Sequence, residues 1–397
     1  MPDATPQHSQ DVAERLARLA EELAKDGSLR TEPWRAALLA VPRHVFVPRF
    51  YLPRNGPRGT EWVPVTPATH DEDERLDLAY RNETLVTQID GESWQAPTPR
   101  TGRPTSSSTL PGLVVRMLEE LDVHEGMRVL EIGTGTGYST ALLCHRLGDG
   151  NVVSIEYDQA VAGRAQDALA ALGYHPTLVV GDGAHGHPAR APYDRVIATC
   201  AFTHLPYAWV EQSRPGAKIL TTFNGRQLAS AMVRLEVGDD GTAKGRFYPD
   251  TISFMISRPQ VPASEPVALC EGMFEREGER IVDFDPAWFD DWTFRFLFQC
   301  RFPNLRTGVI RLQGDQEWTT AITDPDTGAW ATYRLTGDGR LAVRESEPGG
   351  LWTRVEQTFR DWESLGRPGI EKFELTVTPD EQSFRVPGSG IRWHLPR

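Results

Sequence analysis

Cysteine is scarce in this chain of 397 residues: Cys144, Cys200, Cys270 and Cys300 lie far apart and show no C-x-x-C spacing. That excludes a disulfide framework or a cysteine-based zinc site and points to reduced thiols in packed segments. No apolar run approaches the roughly 20 residues of a membrane span, and Met1 to Gln10 is polar, without the apolar core of a secretion signal. The expectation is a cytoplasmic protein. Positive charge is also short: 42 Lys and Arg stand against 55 Asp and Glu, a formal net charge of −13. This argues against nucleic acid or an anionic membrane as the main partner. There is no G-x-S-x-G elbow and no paired-carboxylate signature of a hydrolase. His185, His187 and His204 are too few and too loosely spaced for a metal site, and they read as polar loop residues, so no metal is expected.

Against these absences stands one dense motif. Val129-Leu-Glu-Ile-Gly-Thr-Gly-Thr-Gly-Tyr138 reads as a buried strand, a glycine turn and a helix start. Gly133, Gly135 and Gly137 remove Cβ atoms where the chain turns and where a ligand must approach the backbone, and the helix N-terminus offers free N–H groups. Asn151-Val-Val-Ser-Ile-Glu156 is a second strand ending in an acid, placed where a carboxylate can take both hydroxyls of a ribose. Dinucleotide enzymes favour G-x-G-x-x-G. The tighter G-x-G-x-G here, with Glu131 before it, resembles the S-adenosylmethionine loop of doubly wound methyltransferases. Thr177-Leu-Val-Val-Gly-Asp182-Gly183 and Tyr193-Asp-Arg-Val-Ile-Ala198 add two further strands in order.

The length calls for two domains, since one core seldom grows past about 250 to 300 residues. Val12, Leu16, Leu19 and Leu23 mark an amphipathic helix over Asp11 to Lys25, and Glu32 to Leu39 forms a second helix stopped by Pro42. Leu52 to Arg75 reads as a long irregular stretch with four prolines, and its acidic run Asp71-Glu-Asp-Glu74 as a solvated face. Gln95 to Pro104 reads as another loop, either a functional lid or disorder. After about residue 225 the alternation of strand and helix stops. Trp318 to Thr323, Ala329 to Leu335 and Arg340 to Glu345, separated by turn sequences, predict an antiparallel meander. Leu351, Val355, Phe359 and Trp362 predict a helix, and Phe373 to Val377 with Phe384 to Val386 a hairpin.

Several segments in one order resemble the protein L-isoaspartyl O-methyltransferase family. They are Val41-Pro-Arg-His-Val-Phe-Val-Pro48, Ala79-Tyr80, Ser107-Ser-Thr-Leu-Pro111, the Val129 to Gly137 loop, Ala201-Phe-Thr-His-Leu-Pro206 and Glu211-Gln-Ser-Arg-Pro-Gly216. The resemblance covers roughly residues 28 to 223. It implies an α/β fold: a doubly wound, Rossmann-like S-adenosylmethionine-dependent core over 106–225. N-terminal helices and loops over 1–105 are expected to contribute to the substrate site; the strand-rich residues 226–397, beyond the resemblance, are expected to form a C-terminal α+β accessory domain for peptide recognition. It also implies methyl transfer from S-adenosylmethionine to a carboxylate of a peptide or protein bearing aspartate or isoaspartate. An ionised carboxylate is already a nucleophile at pH 7, so positioning matters more than a strong base.

Residue by residue, the resemblance places Thr109 where the family has its active-site serine, two residues before the loop proline. Ser106, Ser107 and Ser108 fall at the methionine end of the cofactor. Glu131, Gly133, Thr134, Gly135 and Gly137 form the cofactor loop, Glu156 and Tyr157 flank the ribose, and Asp182 and Gly183 hold the adenine. Two departures stand out. Threonine is stiffer and bulkier than serine, and Thr87 to Thr105 looks inserted. Trp362-Glu-Ser-Leu-Gly-Arg-Pro368 with Leu375-Thr-Val-Thr-Pro-Asp380 further resembles the extension of isoaspartyl-type methyltransferases encoded with ATP-grasp peptide maturases. That implies tailoring of a cyclised precursor peptide, a graspetide, through aspartate methylation and aspartimide closure. General isoaspartate repair is the alternative, and a peptide-binding protein that keeps the pocket without catalysis is the third reading.

Overall fold

The computed structural model describes residues 6–57, 59–92, 97–261, 271–275, 277–311, 318–346 and 350–395. Cys270 and the start of the loop expected over Gln95 to Pro104 lie outside them. The chain folds as two compact units, residues 1–199 with 208–220, and residues 200–207 with 221–397.

The first unit opens with α1 (Pro6–Lys25) and α2 (Glu32–Ala40). Leu16, Leu19, Ala20 and Leu23 of α1 are buried, as the helical spacing predicts. The start of α2 is held from outside, because Glu119 Oε1 accepts the N–H groups of Arg30 and Thr31, each at 2.7 Å. That satisfies donors which no intrahelical carbonyl reaches.

The stretch expected to be irregular is ordered. β1 (Phe50–Gly56) and β2 (Gly59–Val65) form an antiparallel hairpin, followed by α3 (Glu72–Ala79), β3 (Leu85–Ile89) and β4 (Pro104–Ser108). The sheet order is β2-β1-β3-β4. Pro64 lies on the edge strand β2, and Pro53 lies in the part of β1 beyond its single paired position with β3, Tyr51 opposite Val86. Prolines are tolerated at such positions because no ladder N–H is required there. The acidic run is a helix start. Asp71 Oδ1 accepts Glu74 N–H at 2.9 Å, and Glu74 Oε2 accepts Asp71 N–H at 3.0 Å. This reciprocal capping box also places three acids in the first turn, where the helix dipole favours them.

α4 (Pro111–Leu121) leads into the alternating core: β5 (Val129–Ile132), α5 (Tyr138–Leu147), β6 (Val152–Glu156), α6 (Gln159–Ala171), β7 (Thr177–Val180), β8 (Tyr193–Phe202), α7 (Tyr207–Glu211) and β9 (Ser213–Phe223). The order is β9-β8-β5-β6-β7, and β5 pairs in parallel with both β6 and β8. The chain leaves β5 toward β6 and β7, then returns to β8 on the other side. β5 is therefore the switch point, and a doubly wound sheet binds its ligand beyond the carboxyl ends of the strands at such a point. β8 and β9 each run past the boundary between units, at Thr199 and Leu220.

The second unit contains β10 (Ala231–Val237), β11 (Ala243–Phe247), β12 (Arg280–Val282), α8 (Trp292–Arg301), β13 (Arg306–Ile310), β14 (Thr319–Thr323), β15 (Trp330–Leu335), β16 (Leu341–Glu345), α9 (Leu351–Ser364), β17 (Glu374–Val377), β18 (Gln382–Arg385) and β19 (Trp393–Leu395). One sheet runs β12-β16-β15-β14-β13 and is antiparallel throughout. The strands β10-β11-β17-β18-β19 are likewise antiparallel neighbours from β10 to β19. The aromatic core of this α+β unit gathers Trp288, Phe294, Trp352 and Phe359 around Phe284; Trp288 stacks on Phe359 with centroids 3.5 Å apart, and Phe294 packs on Trp362.

Candidate functional site

The carboxyl ends of β5, β6 and β7 are bonded together before any ligand is considered. Gly133 N–H and Thr134 N–H donate to Ile155 O at 2.8 and 3.2 Å, and Gly181 N–H donates to Glu156 O at 2.9 Å. Gly133, Gly135 and Gly137 hold φ values of 93°, 56° and 91°, a region that side chains with a Cβ rarely adopt. Gly137 caps α5 without any side-chain hydrogen bond, so the helix start keeps backbone donors for a ligand.

Glu131 lies beneath this loop and is fully buried. Its Oε1 accepts Ser139 Oγ at 2.5 Å, and its Oε2 accepts Thr140 Oγ1 at 2.5 Å and Ser154 Oγ at 2.7 Å. Thr134 Oγ1 meets the same Ser154 hydroxyl at 2.6 Å. The carboxylate thus fastens α5 and β6 to β5, underneath the surface that would face a ligand. Burial pushes its pKa above the usual carboxyl range, and the three hydroxyls oppose that rise.

Glu156 closes β6. Its Oε2 accepts Gly135 N–H at 2.9 Å and its Oε1 accepts Asp158 N–H at 3.0 Å. A carboxylate offers about four acceptor sites, so gripping the loop is compatible with receiving ribose hydroxyls. Tyr157, next along, is 52% exposed, which leaves an aromatic face at the end of β6. Asp182 Oδ1 accepts Ala184 N–H at 2.9 Å and starts a short turn in which Gly183 is buried. A Cβ on Gly183 would fall 2.3 Å from Ile132 Cγ2. The glycine is required by contact with the end of β5, while its carbonyl accepts Trp209 Nε1 at 2.8 Å.

The serine segment supplies the other wall. Along β4, Ser106 and Ser108 are buried and Ser107 is half-buried, the alternation of a strand. Ser106 Oγ accepts Thr87 Oγ1 at 3.2 Å, and Ser108 Oγ accepts Arg43 Nε at 3.3 Å, so both hydroxyls are engaged within the protein. Ser107 O lies 3.5 Å from where a Cβ on Gly135 would sit, which brings the segment against the cofactor loop. Thr109, half-buried, follows at the turn into α4. The suspected insertion, Thr87 to Thr105, takes in the end of β3 and the start of β4, and within it Gln88 of β3 donates through Nε2 to Asp158 Oδ2 at 3.1 Å. This links the serine sheet to the start of α6.

Sequence reasoning did not single out Arg43, Thr199, Asp158 or Trp209. Thr199 Oγ1 donates to Gly133 O at 2.5 Å and Ile132 O at 3.2 Å, bracing the loop from β8. The exit of β8 was visible in the sequence, but the hydrogen bond was not. His185 and His187 are tied to Gln212, which donates from Nε2 to His185 O at 2.8 Å and accepts His187 N–H on Oε1 at 2.8 Å. Among the described residues, no three His, Cys, Asp or Glu side chains gather as a metal site, and no helix is long and apolar enough to cross a membrane.

A switch-point crevice, uncapped helix donors, a strand-end acid and a buried acid under a G-x-G-x-G loop together fit S-adenosylmethionine. They define the class: an S-adenosylmethionine-dependent methyltransferase. The family model for protein-L-isoaspartate(D-aspartate) O-methyltransferase matches residues 81–249. Protein-L-isoaspartate O-methyltransferase 2 of Archaeoglobus fulgidus is 34% identical over 212 residues, 53% of this chain and 78% of that protein. The protein-L-isoaspartate O-methyltransferase of Hyperthermus butylicus is 31% identical over 232 residues, 56% of this chain and 80% of that protein. A solved protein-L-isoaspartate O-methyltransferase shares the fold, with a TM-score of 0.56 at 21% identity over 94% of this chain and 99% of that one. The chain belongs to the protein-L-isoaspartate O-methyltransferase family and is a protein carboxyl O-methyltransferase.

Proposed function

We propose that this enzyme methylates the free carboxylate of isoaspartyl residues in proteins and peptides, the first step of repairing them. The observation that carries this reading is the Ser107–Thr109 turn set against the cofactor loop at the switch point of the sheet. Bound S-adenosylmethionine supplies an electrophilic methyl group. The protein's own part is orientation: Thr109 Oγ1 donates to one carboxylate oxygen and leaves the other aimed at the methyl carbon. Glu156 and Tyr157 receive the ribose, and Asp182 and Gly183 the adenine edge. The turn Gly133 to Gly137, its own N–H groups largely bonded to β6 and within the loop, leaves room for the methionine end; the start of α5 supplies the backbone donors, joined by Ser107, while Glu131 acts through the shape of the loop.

Methylation turns a poor leaving group into methoxide. The following backbone nitrogen then attacks the ester carbonyl, methanol departs, and a five-membered imide closes. Water reopens that ring to aspartyl and isoaspartyl products, so repeated turnover restores aspartate. The few, widely spaced cysteines of the sequence suit a cytoplasmic setting for this work.

A second reading rests on Thr109 itself. The added methyl narrows the site relative to serine and suits one preferred substrate, such as an aspartate of a cyclised graspetide precursor whose imide then persists. Residues 226–397 would recognise that peptide. The family match and the two relatives support the repair reading better. The fold likeness to a solved isoaspartate methyltransferase also extends over both units, so the second unit alone does not single out peptide tailoring.

Mass spectrometry of the protein with S-adenosylmethionine and either a linear isoaspartyl peptide or a cyclised precursor separates the readings. Addition of a methyl group to the linear peptide supports repair. Methylation of the precursor alone, followed by loss of methanol, supports tailoring. Cofactor binding without transfer to either would leave a non-catalytic binding protein.

A further inference from the structure

Arg43 is fully buried in the 3-10 turn between α2 and β1. Its side chain is a hub. Nη1 donates to Ala79 O at 2.9 Å and Arg81 O at 3.0 Å. Nη2 donates to Glu83 O at 2.9 Å, Ser108 O at 3.1 Å and Thr109 O at 3.2 Å, and Nε donates to Ser108 Oγ at 3.3 Å. All acceptors are carbonyls or a hydroxyl. Among the described residues, no carboxylate lies within ion-pair distance of the guanidinium.

On another side, the Arg43 guanidinium carbon lies 6.0 Å from the ring centroid of Tyr138, the first residue of α5 after the cofactor loop. Tyr138 packs in turn on Phe46, with ring centroids 5.9 Å apart. One side chain therefore bonds the turn carrying Thr109 and lies beside the residue that follows the G-x-G-x-G loop. Burial lowers its pKa to about 10, which keeps it charged at neutral pH. A desolvated cation that only the more distant Glu83 carboxylate favours electrostatically is costly to keep in a core for packing alone.

We infer that Arg43 is a positioning residue for methyl transfer: its five-donor fork holds the Ser108 and Thr109 carbonyls at a fixed offset from the cofactor loop, and so fixes where Thr109 presents its hydroxyl. This rests on the role proposed for Thr109. A planar fork is needed because the acceptors come from two segments, residues 79–83 and 108–109, and a lysine ammonium can supply only three donors from a point. Backbone carbonyls held this way leave the reacting groups little freedom, and a shift of about 1 Å can cost roughly a hundredfold in rate.

The test is Arg43→Lys, which keeps the charge and loses the fork. Three quantities are read: kcat on an isoaspartyl peptide, affinity for S-adenosylhomocysteine by calorimetry, and amide hydrogen exchange of residues 106–112 in the ligand-free protein. The expected result is kcat lower by about tenfold or more, affinity within about threefold of the parent, and exchange faster by about fivefold in that segment alone. An unchanged kcat, unchanged exchange, or a parallel loss of kcat and affinity would overturn the inference, the last because it marks a merely structural role. If the parent methylates no isoaspartyl peptide, the repair reading falls, and the exchange measurement still decides whether Arg43 fixes the turn.

Discussion

Gly135 N–H donates to the Glu156 carboxylate at 2.9 Å, so the acid that ends β6 also sets the middle of the cofactor loop. Replacing it removes a charge-assisted bond, commonly worth about 1.5 to 3 kcal/mol. Glu156→Ala should weaken S-adenosylhomocysteine binding by about tenfold to a hundredfold, measured by titration calorimetry. Unaltered affinity would take Glu156 out of the cofactor site.

Thr109→Ala should slow methyl transfer by roughly tenfold or more while affinity for S-adenosylhomocysteine changes by no more than about twofold, since only orientation is lost. Thr109→Ser keeps the hydroxyl and frees space. It should retain transfer and broaden the range of peptides accepted. Steady-state kinetics on a panel of isoaspartyl peptides reads both variants, and parental turnover in Thr109→Ala would remove the residue from the mechanism.

Gly183→Ala forces a Cβ to 2.3 Å from Ile132 Cγ2. Overpacking of this kind costs about 1 to 3 kcal/mol, and here it would spread the ends of β5 and β7. Denaturant titration should show that loss together with weaker cofactor binding. Parental stability would mean that Ile132 relaxes without consequence.

Glu131 gives a pH dependence with a definite sign. Its native pKa lies above the ordinary value of 4.5, raised by burial. The native state therefore holds its proton more tightly than the unfolded chain. The stability this contributes is complete below about pH 4.5 and is lost as pH rises through the native pKa. Glu131→Gln removes that titration. The difference in unfolding free energy between parent and variant should drift against the parent as pH rises from 4.5, and a difference independent of pH would contradict the assignment.

The strands and turns that frame the candidate cofactor half of the site were legible in the sequence. β5 and β6 are buried strands and so read as short apolar runs, the first running into Gly133 and the second ending in Glu156. The serine turn was legible only through resemblance, and its inward bonds were not, because Ser106 and Ser108 meet partners many residues away. Prolines hid the β1–β2 hairpin, since Pro53 and Pro64 argue against strands until their places in the sheet are known. The acids at 71–74 are exposed, as a solvated face should be, but their capping box was not legible because it and a plain charge run look alike in composition. Arg43 sat in plain view within Val-Pro-Arg-His-Val-Phe, but nothing local says that its acceptors lie near residues 80 and 108.

The boundary at Thr199, Tyr207 and Leu220 has a practical meaning. The polypeptide changes unit three times, so no single cut yields two intact halves. A truncation after residue 225 would strip the segments 200–207 and 221–225 of the rest of their own unit. Loss of activity in such a fragment would report broken folding rather than a missing recognition surface. A cut at Thr199 or Leu220 would fall within β8 or β9.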